Sequence, residues 1–153
     1  MITFHYIARA IVFVDGKVLL AHMVGADNTF LPGGHVEPGE GAEPALIREI
    51  EEEFGGQATI KRFVGAVEHA WTEKGRHHHE INLLFEVQIS GLNCSEPPET
   101  QESHLEFIWS DPGDLERHNL QPYTLIPCIA HWDENHKGYW ASSLSGLKDS
   151  CGE

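Results

Sequence analysis

Positive charge is what this chain has least of. Ten Lys and Arg stand against 24 Asp and Glu, a formal net charge of −14 over 153 residues, and the basic residues form no stripe. Binding a nucleic-acid backbone relies on clustered cations, so a DNA or RNA partner is not expected. A small polyanion meets the same repulsion unless a metal cation intervenes. Cysteine is scarce too: Cys94, Cys128 and Cys151 include no CxxC pair and cannot all pair within one chain. That excludes a disulfide framework and suits a reducing compartment. No apolar run approaches the ~18 residues of a membrane span, and Met1–Tyr6 lacks a basic n-region. The expectation is a soluble, cytoplasmic protein without a membrane partner.

Repeats, linkers and low-complexity blocks are also missing. A length of 153 residues with 41% hydrophobic and 22% charged residues suits one well-cored globular domain. We assign it to residues 1–141, with 142–153 as a polar, frayed tail. Oligomeric state is left open, a homodimer included.

What the chain does have is one dense constellation. From Gly34 the residues read G-x5-E-x7-R-E-I-x-E-E-x-G, which places Glu40, Arg48, Glu49, Ile50, Glu52, Glu53 and Gly55 in register. At about 100° per residue, Glu49, Glu52 and Glu53 share one helix face, while Leu46, Ile47, Ile50 and Phe54 form an apolar face. Three neighbouring acids repel one another until a divalent cation reverses the sign. Oxygen-only ligands favour Mg2+, with Mn2+ as a substitute. Arg48 is placed to fix a carboxylate by a forked hydrogen bond.

These residues resemble the Nudix box, the signature of hydrolases acting on nucleoside diphosphates linked to another moiety. The match is complete except at its last position, where the family has an aliphatic residue and this chain has Gly56. Outside the box the similarity is looser, from about Ile7 to about Ile129. The resemblance implies an α/β fold, an α/β/α sandwich with a mixed sheet. It implies Glu49, Glu52, Glu53 and the backbone carbonyl of Gly33 as metal ligands. It also implies a carboxylate base, either Glu53 or Glu52 in the box or Glu102 on a later loop. Arg9 is read as a substrate-facing cation or a strand-edge charge, and Glu40 as a residue that orders the loop.

Along the chain, Ile7–Val14 and Val18–Ala21 flank Asp15-Gly16, a hairpin signal that predicts two adjacent antiparallel strands. Residues 23–28 read as a loop, and Gly33-Gly34 as a glycine loop that brings backbone close to a ligand. A helix is expected from about Glu43 or Pro44 to Phe54, stopped by Gly55-Gly56. Ile60–His69 and Glu80–Ser90 are expected strands, separated by a polar loop over residues 72–78 that carries most of the His77–His79 run. Those histidines alternate faces on a strand and are spaced wrongly for one ion. After a loop over 90–103, Leu105–Trp109 reads as a strand. A small helix from Asp111 to Arg117 and another from Tyr123 to Trp132 follow. Phe4, Tyr6 and Trp71 are aromatics of a kind that stacks on a base, and packing explains them equally well.

The reaction this implies is metal-dependent hydrolysis of a diphosphate linkage in a small nucleoside diphosphate derivative. ADP-ribose, a dinucleotide and a nucleoside triphosphate all fit. Two rivals are a non-catalytic nucleotide sensor and an isoprenoid diphosphate isomerase, the latter needing an active-site cysteine.

Overall fold

A computed structural model describes residues 1–135 and 138–144. Nine strands are described: β1 (Ile2–Ile11), β2 (Phe13–Val14), β3 (Lys17–Met23), β4 (Thr29–Phe30), β5 (Gly33–His35), β6 (Ala58–Glu73), β7 (Arg76–Ile89), β8 (Leu105–Ser110) and β9 (Tyr139–Ser142). The helices are α1 (Ala42–Phe54) and the short α2 (Ile126–Ala130), the latter preceded by a 3-10 turn at Tyr123–Leu125. One sheet has the order β5-β1-β7-β6-β9, with β1·β7 and β6·β9 parallel and the other pairs antiparallel. In the second sheet β3 pairs with β2, β4 and β8.

Side chains alternate across both sheets and build two cores. Ala8, Ala10, Leu19, Ala21, Phe85 and Val87 pack with Ala45, Leu46 and Ile50 of α1. Their neighbours Ile11, Val18, Leu20 and Leu84 pack with Leu125, Cys128 and Ile129 around α2. The sheets thus lie between α1 and α2, a mixed α/β sandwich. Among the described residues no helix is long and apolar enough to cross a membrane.

The Asp15-Gly16 hairpin forms, with φ of 49° and 78°, and joins β2 to β3. The first long strand does not belong to that hairpin: it breaks at Val12, and β1 lies between β5 and β7 in the other sheet. Gly33-Gly34 is a strand where a loop was expected. A Cβ at Gly33 would overlap the Ala8 carbonyl oxygen, so only glycine lets β5 approach β1 this closely.

The polar stretch at 72–78 is not a loop. Lys74 and Gly75, with φ of 49° and 76°, make a tight turn, and Thr72↔His77 and Trp71↔His78 continue the ladder, so His77–His79 lie on β7. No helix forms at 111–117, which is a series of turns. Asp111 bonds Lys17 Nζ at 3.1 Å instead of capping a helix. The expected helix at 123–132 is shortened to a 3-10 turn and α2, with His131 as its C-cap. Strand β9 was not anticipated. Ser142, the first residue assigned to the tail, ends it, and Ser143 Oγ bonds His69 Nδ1 at 2.8 Å. The tail assignment otherwise falls on residues 145–153, outside the described residues.

Candidate active site

Helix α1 runs Ala42–Phe54, close to the expected span, and stops where Gly55 turns left-handed with its N–H on the Glu51 carbonyl at 2.8 Å. Gly56, the departure from the box pattern, sits where a Cβ would lie 3.1 Å from a methyl of Ile89. A larger residue there would press on β7.

The acids of α1 differ in exposure. Glu52 is half exposed, at 50% of its side chain, whereas Glu49 is at 18%. Glu53 is buried at 3% and lies on the core side with Ile50. The single shared acidic face therefore becomes a gradient from solvent to interior. A Cβ at Gly34 would overlap the Glu49 carboxyl group, so the glycine makes room for that acid against β5.

Arg48 ties the loop to the helix. Its Nε and one terminal nitrogen form a fork on Glu40 at 2.8 and 2.9 Å, and that same nitrogen reaches the His35 carbonyl at 3.2 Å. The other terminal nitrogen bonds Glu49 at 3.1 Å and Glu52 at 3.2 Å. Glu40 also accepts the Glu37 backbone N–H at 3.1 Å. These bonds, Arg48 foremost and then Glu37, hold the Glu40 carboxyl at a pKa of about 2.

Glu53 is the opposite case. Burial pushes its pKa up to about 8; Arg9 opposes that rise, and the like charges of Glu49 and Glu102 add to it. One of its carboxyl oxygens, Oε2, is buried without a hydrogen-bond partner. Glu49 is raised as well, first by burial, with Arg48 opposing.

Glu102 belongs with this group. The Gln101 N–H bonds the Glu53 carbonyl at 2.9 Å, which anchors its loop at the end of α1, and His104 lies 3.2 Å from its carboxylate. Arg9 is not a strand-edge charge, because β1 is flanked on both sides. It donates to Asn82 Oδ1 at 3.3 Å and to the Leu31 carbonyl at 3.0 Å, and lies over the Phe30 ring at 5.3 Å.

Among the described residues no three His, Cys, Asp or Glu side chains form a closed metal cage. Mg2+ does not ask for one, since it keeps waters and completes its shell with substrate phosphates around one or two carboxylates. An unpartnered buried carboxylate oxygen beside a second, partly buried acid suits such an ion.

Sequence reasoning missed Glu80 and Asn82, polar residues buried at 7% and 0% on β7; on a strand they read as a solvated face. It also missed an aromatic row across β1, β7 and β6. There Trp71 stacks on His78 at 4.9 Å, and His5 on His78 at 5.2 Å. Phe4 and Tyr6, of opposite parity to His5 on β1, are exposed.

The family model described as "NUDIX domain" matches residues 3–128. The chain is 36% identical over 121 residues to the CTP pyrophosphohydrolase of Escherichia coli K12, an alignment covering 76% of this chain and 82% of that one. It is 30% identical over 120 residues to the nucleoside triphosphatase NudI of Escherichia coli O17:K52:H18, covering 72% and 84%. Among solved structures, a MutT NUDIX hydrolase from Burkholderia pseudomallei superposes with a TM-score of 0.55 at 28% identity, over 74% of this chain and 87% of that one. Matched by the family model over most of its length, and sharing more than a third of its aligned residues with a named pyrophosphohydrolase, this chain belongs to the Nudix family of hydrolases.

Proposed function

We propose that the protein hydrolyses a nucleoside triphosphate to the monophosphate and pyrophosphate, with Mg2+ as its cofactor and Mn2+ as a substitute. The observation that supports this reading most is Glu53, a buried acid with one partnerless oxygen, standing beside Glu49 and within electrostatic reach of Arg9. Glu49, Glu52, Glu53 and the Gly33 carbonyl would hold the cation, which when bound supplies phosphate neutralisation and a more acidic water.

The chain's own groups do the rest. Arg9 takes a phosphate oxygen through its unengaged N–H groups. Arg48 holds Glu49 in orientation and keeps Glu40 from competing for the ion. Water adds to phosphorus, the anhydride P–O bond breaks, and pyrophosphate leaves with the bonding pair. Glu102 accepts the proton of the water. Glu52 is the weaker base, being half exposed and bonded to Arg48. Most of the acceleration is then positioning and charge stabilisation.

Among the possible leaving moieties, the triphosphate is favoured by the relatives, which carry the names CTP pyrophosphohydrolase and nucleoside triphosphatase. The isomerase alternative needs a cysteine near these acids. Cys128 is buried on α2 with its thiol pushed up to about 11 by burial, and Cys94 contacts Asp15. Cys151 lies outside the described residues. The test is incubation with each nucleoside triphosphate, ADP-ribose and a dinucleotide in Mg2+, with products separated by chromatography. Monophosphate and pyrophosphate in equal amounts support the proposal. Turnover of ADP-ribose or the dinucleotide alone, or release of orthophosphate alone, contradicts it.

A further inference from the structure

Two polar residues are buried where strand β7 would ordinarily carry apolar ones. Asn82 and Glu80 share a face with Leu84, and Asn82 pairs across the ladder with Val67; both apolar residues belong to the α2-side core. Burying an amide and a carboxylate is unfavourable unless each finds a partner. The partners form a chain. Asn82 Nδ2 donates to Glu80 Oε1 at 2.9 Å and, at 3.5 Å, reaches the Val67 carbonyl, while its Oδ1 accepts from Arg9 Nε. The amide has one workable orientation, since flipping it would set N–H against the guanidinium and oxygen against the carboxylate.

This arrangement fixes Arg9 without using it up. A guanidinium has five N–H donors; one is on Asn82 and one on the Leu31 carbonyl, so three remain. Among the described residues those three make no hydrogen bond, and no carboxylate oxygen comes within 4.0 Å of the group, although Glu80, Glu53 and Glu49 all act on its charge. A purely structural arginine would pair with Glu80 directly. Here an amide stands between them, so the charge of Glu80 restrains the guanidinium at one remove and leaves three donors unengaged within electrostatic reach of the helix acids Glu53 and Glu49.

We propose that Asn82 and Glu80 are positioning residues that hold Arg9 as a preset anion fork for the phosphate end of the substrate. This rests on the reading that Arg9 meets a substrate phosphate, and a forked, prearranged guanidinium is the geometry such recognition needs.

The test is a set of variants measured on the nucleotide turned over best, alongside the Arg9 Nε–H resonance, assigned by its loss in Arg9→Gln. Asn82→Leu is expected to raise KM about tenfold with kcat within about threefold, since one charge-assisted bond sets the fork. It should also remove the slowly exchanging Arg9 Nε–H signal. In an Arg9→Gln background the same change should add less than about twofold, because the two residues act as one unit. The exchange Glu80→Gln with Asn82→Asp keeps the net charge and the link from Arg9 through 82 to 80, with the 80–82 bond reversed and only the 3.5 Å contact to the Val67 carbonyl lost, so it should return KM to within about threefold of the parent and restore the resonance. It also serves if Asn82→Leu fails to fold. A network that only stabilises would lower Tm in Asn82→Leu yet leave KM and the resonance unmoved, and a rise in KM that persisted in full in the Arg9→Gln background would mean that Asn82 acts independently of Arg9; either result overturns the proposal. If no nucleotide is turned over, the hydrolase reading fails by itself, and the resonance in the variants still decides whether Asn82 holds Arg9.

Discussion

Glu40 and Glu53 are the same side chain at two ends of one motif, and their surroundings push them in opposite directions. Glu40 is forked by Arg48 and bonded by a backbone N–H, so its carboxyl is held at about 2. Glu53 is sealed among the core residues of α1 with an oxygen left unpartnered, and burial lifts it to about 8. An acid whose lone pairs the protein already satisfies has little left for a ligand. An acid buried and left wanting is the one to which we assign a cation in the proposed function. Spacing alone ranks the two alike; environment separates them.

The largest effect should come from removing the unsatisfied acid. Glu53→Gln is expected to lower kcat by about 10²-fold or more, while the Tm of the metal-free protein stays close to the parent's, because Oε2 has no partner to lose and the amide oxygen of Gln can still accept the Gly33 backbone N–H. Thermal melts with and without Mg2+ sharpen the contrast. The parent gains stability from the ion by mass action, and Glu53→Gln gains less.

Glu40→Gln should show the reverse balance, a clear loss of Tm with a decrease in kcat of about tenfold or less, since the loop loosens while the proposed cation ligands stay. The pH dependence follows from the sign of the shift. Glu40 has a folded pKa of about 2, below its ordinary value of 4.5, so its stabilisation is complete above 4.5 and is lost as pH falls toward 2. Melts of parent and variant should converge across that window. A Tm gap that persisted at its lower end would remove the Arg48 fork as the cause.

Helix α1 and its acids were legible because they depend on local periodicity and on Gly55. The Asp15-Gly16 turn was legible for the same reason. Strand β1 was misassigned because its neighbours come from residues 33–35 and 77–86, and distant pairing leaves no trace in a local window. The Lys74-Gly75 turn was hidden by polar residues that pair across β6 and β7 instead of looping out. Within the site, Arg48 and the box acids could be read from spacing. The burial of Glu53 could not, because Leu46, Ile50 and Phe54 define the apolar stripe without it. Asn82 and Glu80 were invisible, since a polar residue at alternate strand positions ordinarily marks the solvent face.

A smaller pH effect separates a third carboxylate. Glu106 lies 2.6 Å from His22 Nδ1, and His22 Nε2 bonds the Ala26 carbonyl at 2.6 Å. These bonds, Ala26 first and then Glu106, raise the His22 pKa above 6.5. The stabilisation is therefore full below 6.5 and fades as pH rises through the higher folded value. The Tm difference between the parent and His22→Asn should shrink between mildly acidic and alkaline buffer, and a difference that grew would contradict this assignment. Smallest of all, Glu51→Gln should leave kcat, KM and Tm nearly unchanged. Glu51 is exposed and points about 160° away from a residue two places on.

The comparison between satisfied and unsatisfied acids is tested most directly by titrating Mn2+ into the parent, Glu53→Gln and Glu51→Gln, reading free ion by electron paramagnetic resonance. The account predicts that Glu53→Gln binds at least about tenfold more weakly, with Glu51→Gln equal to the parent. Equal affinity in the parent and Glu53→Gln would contradict it.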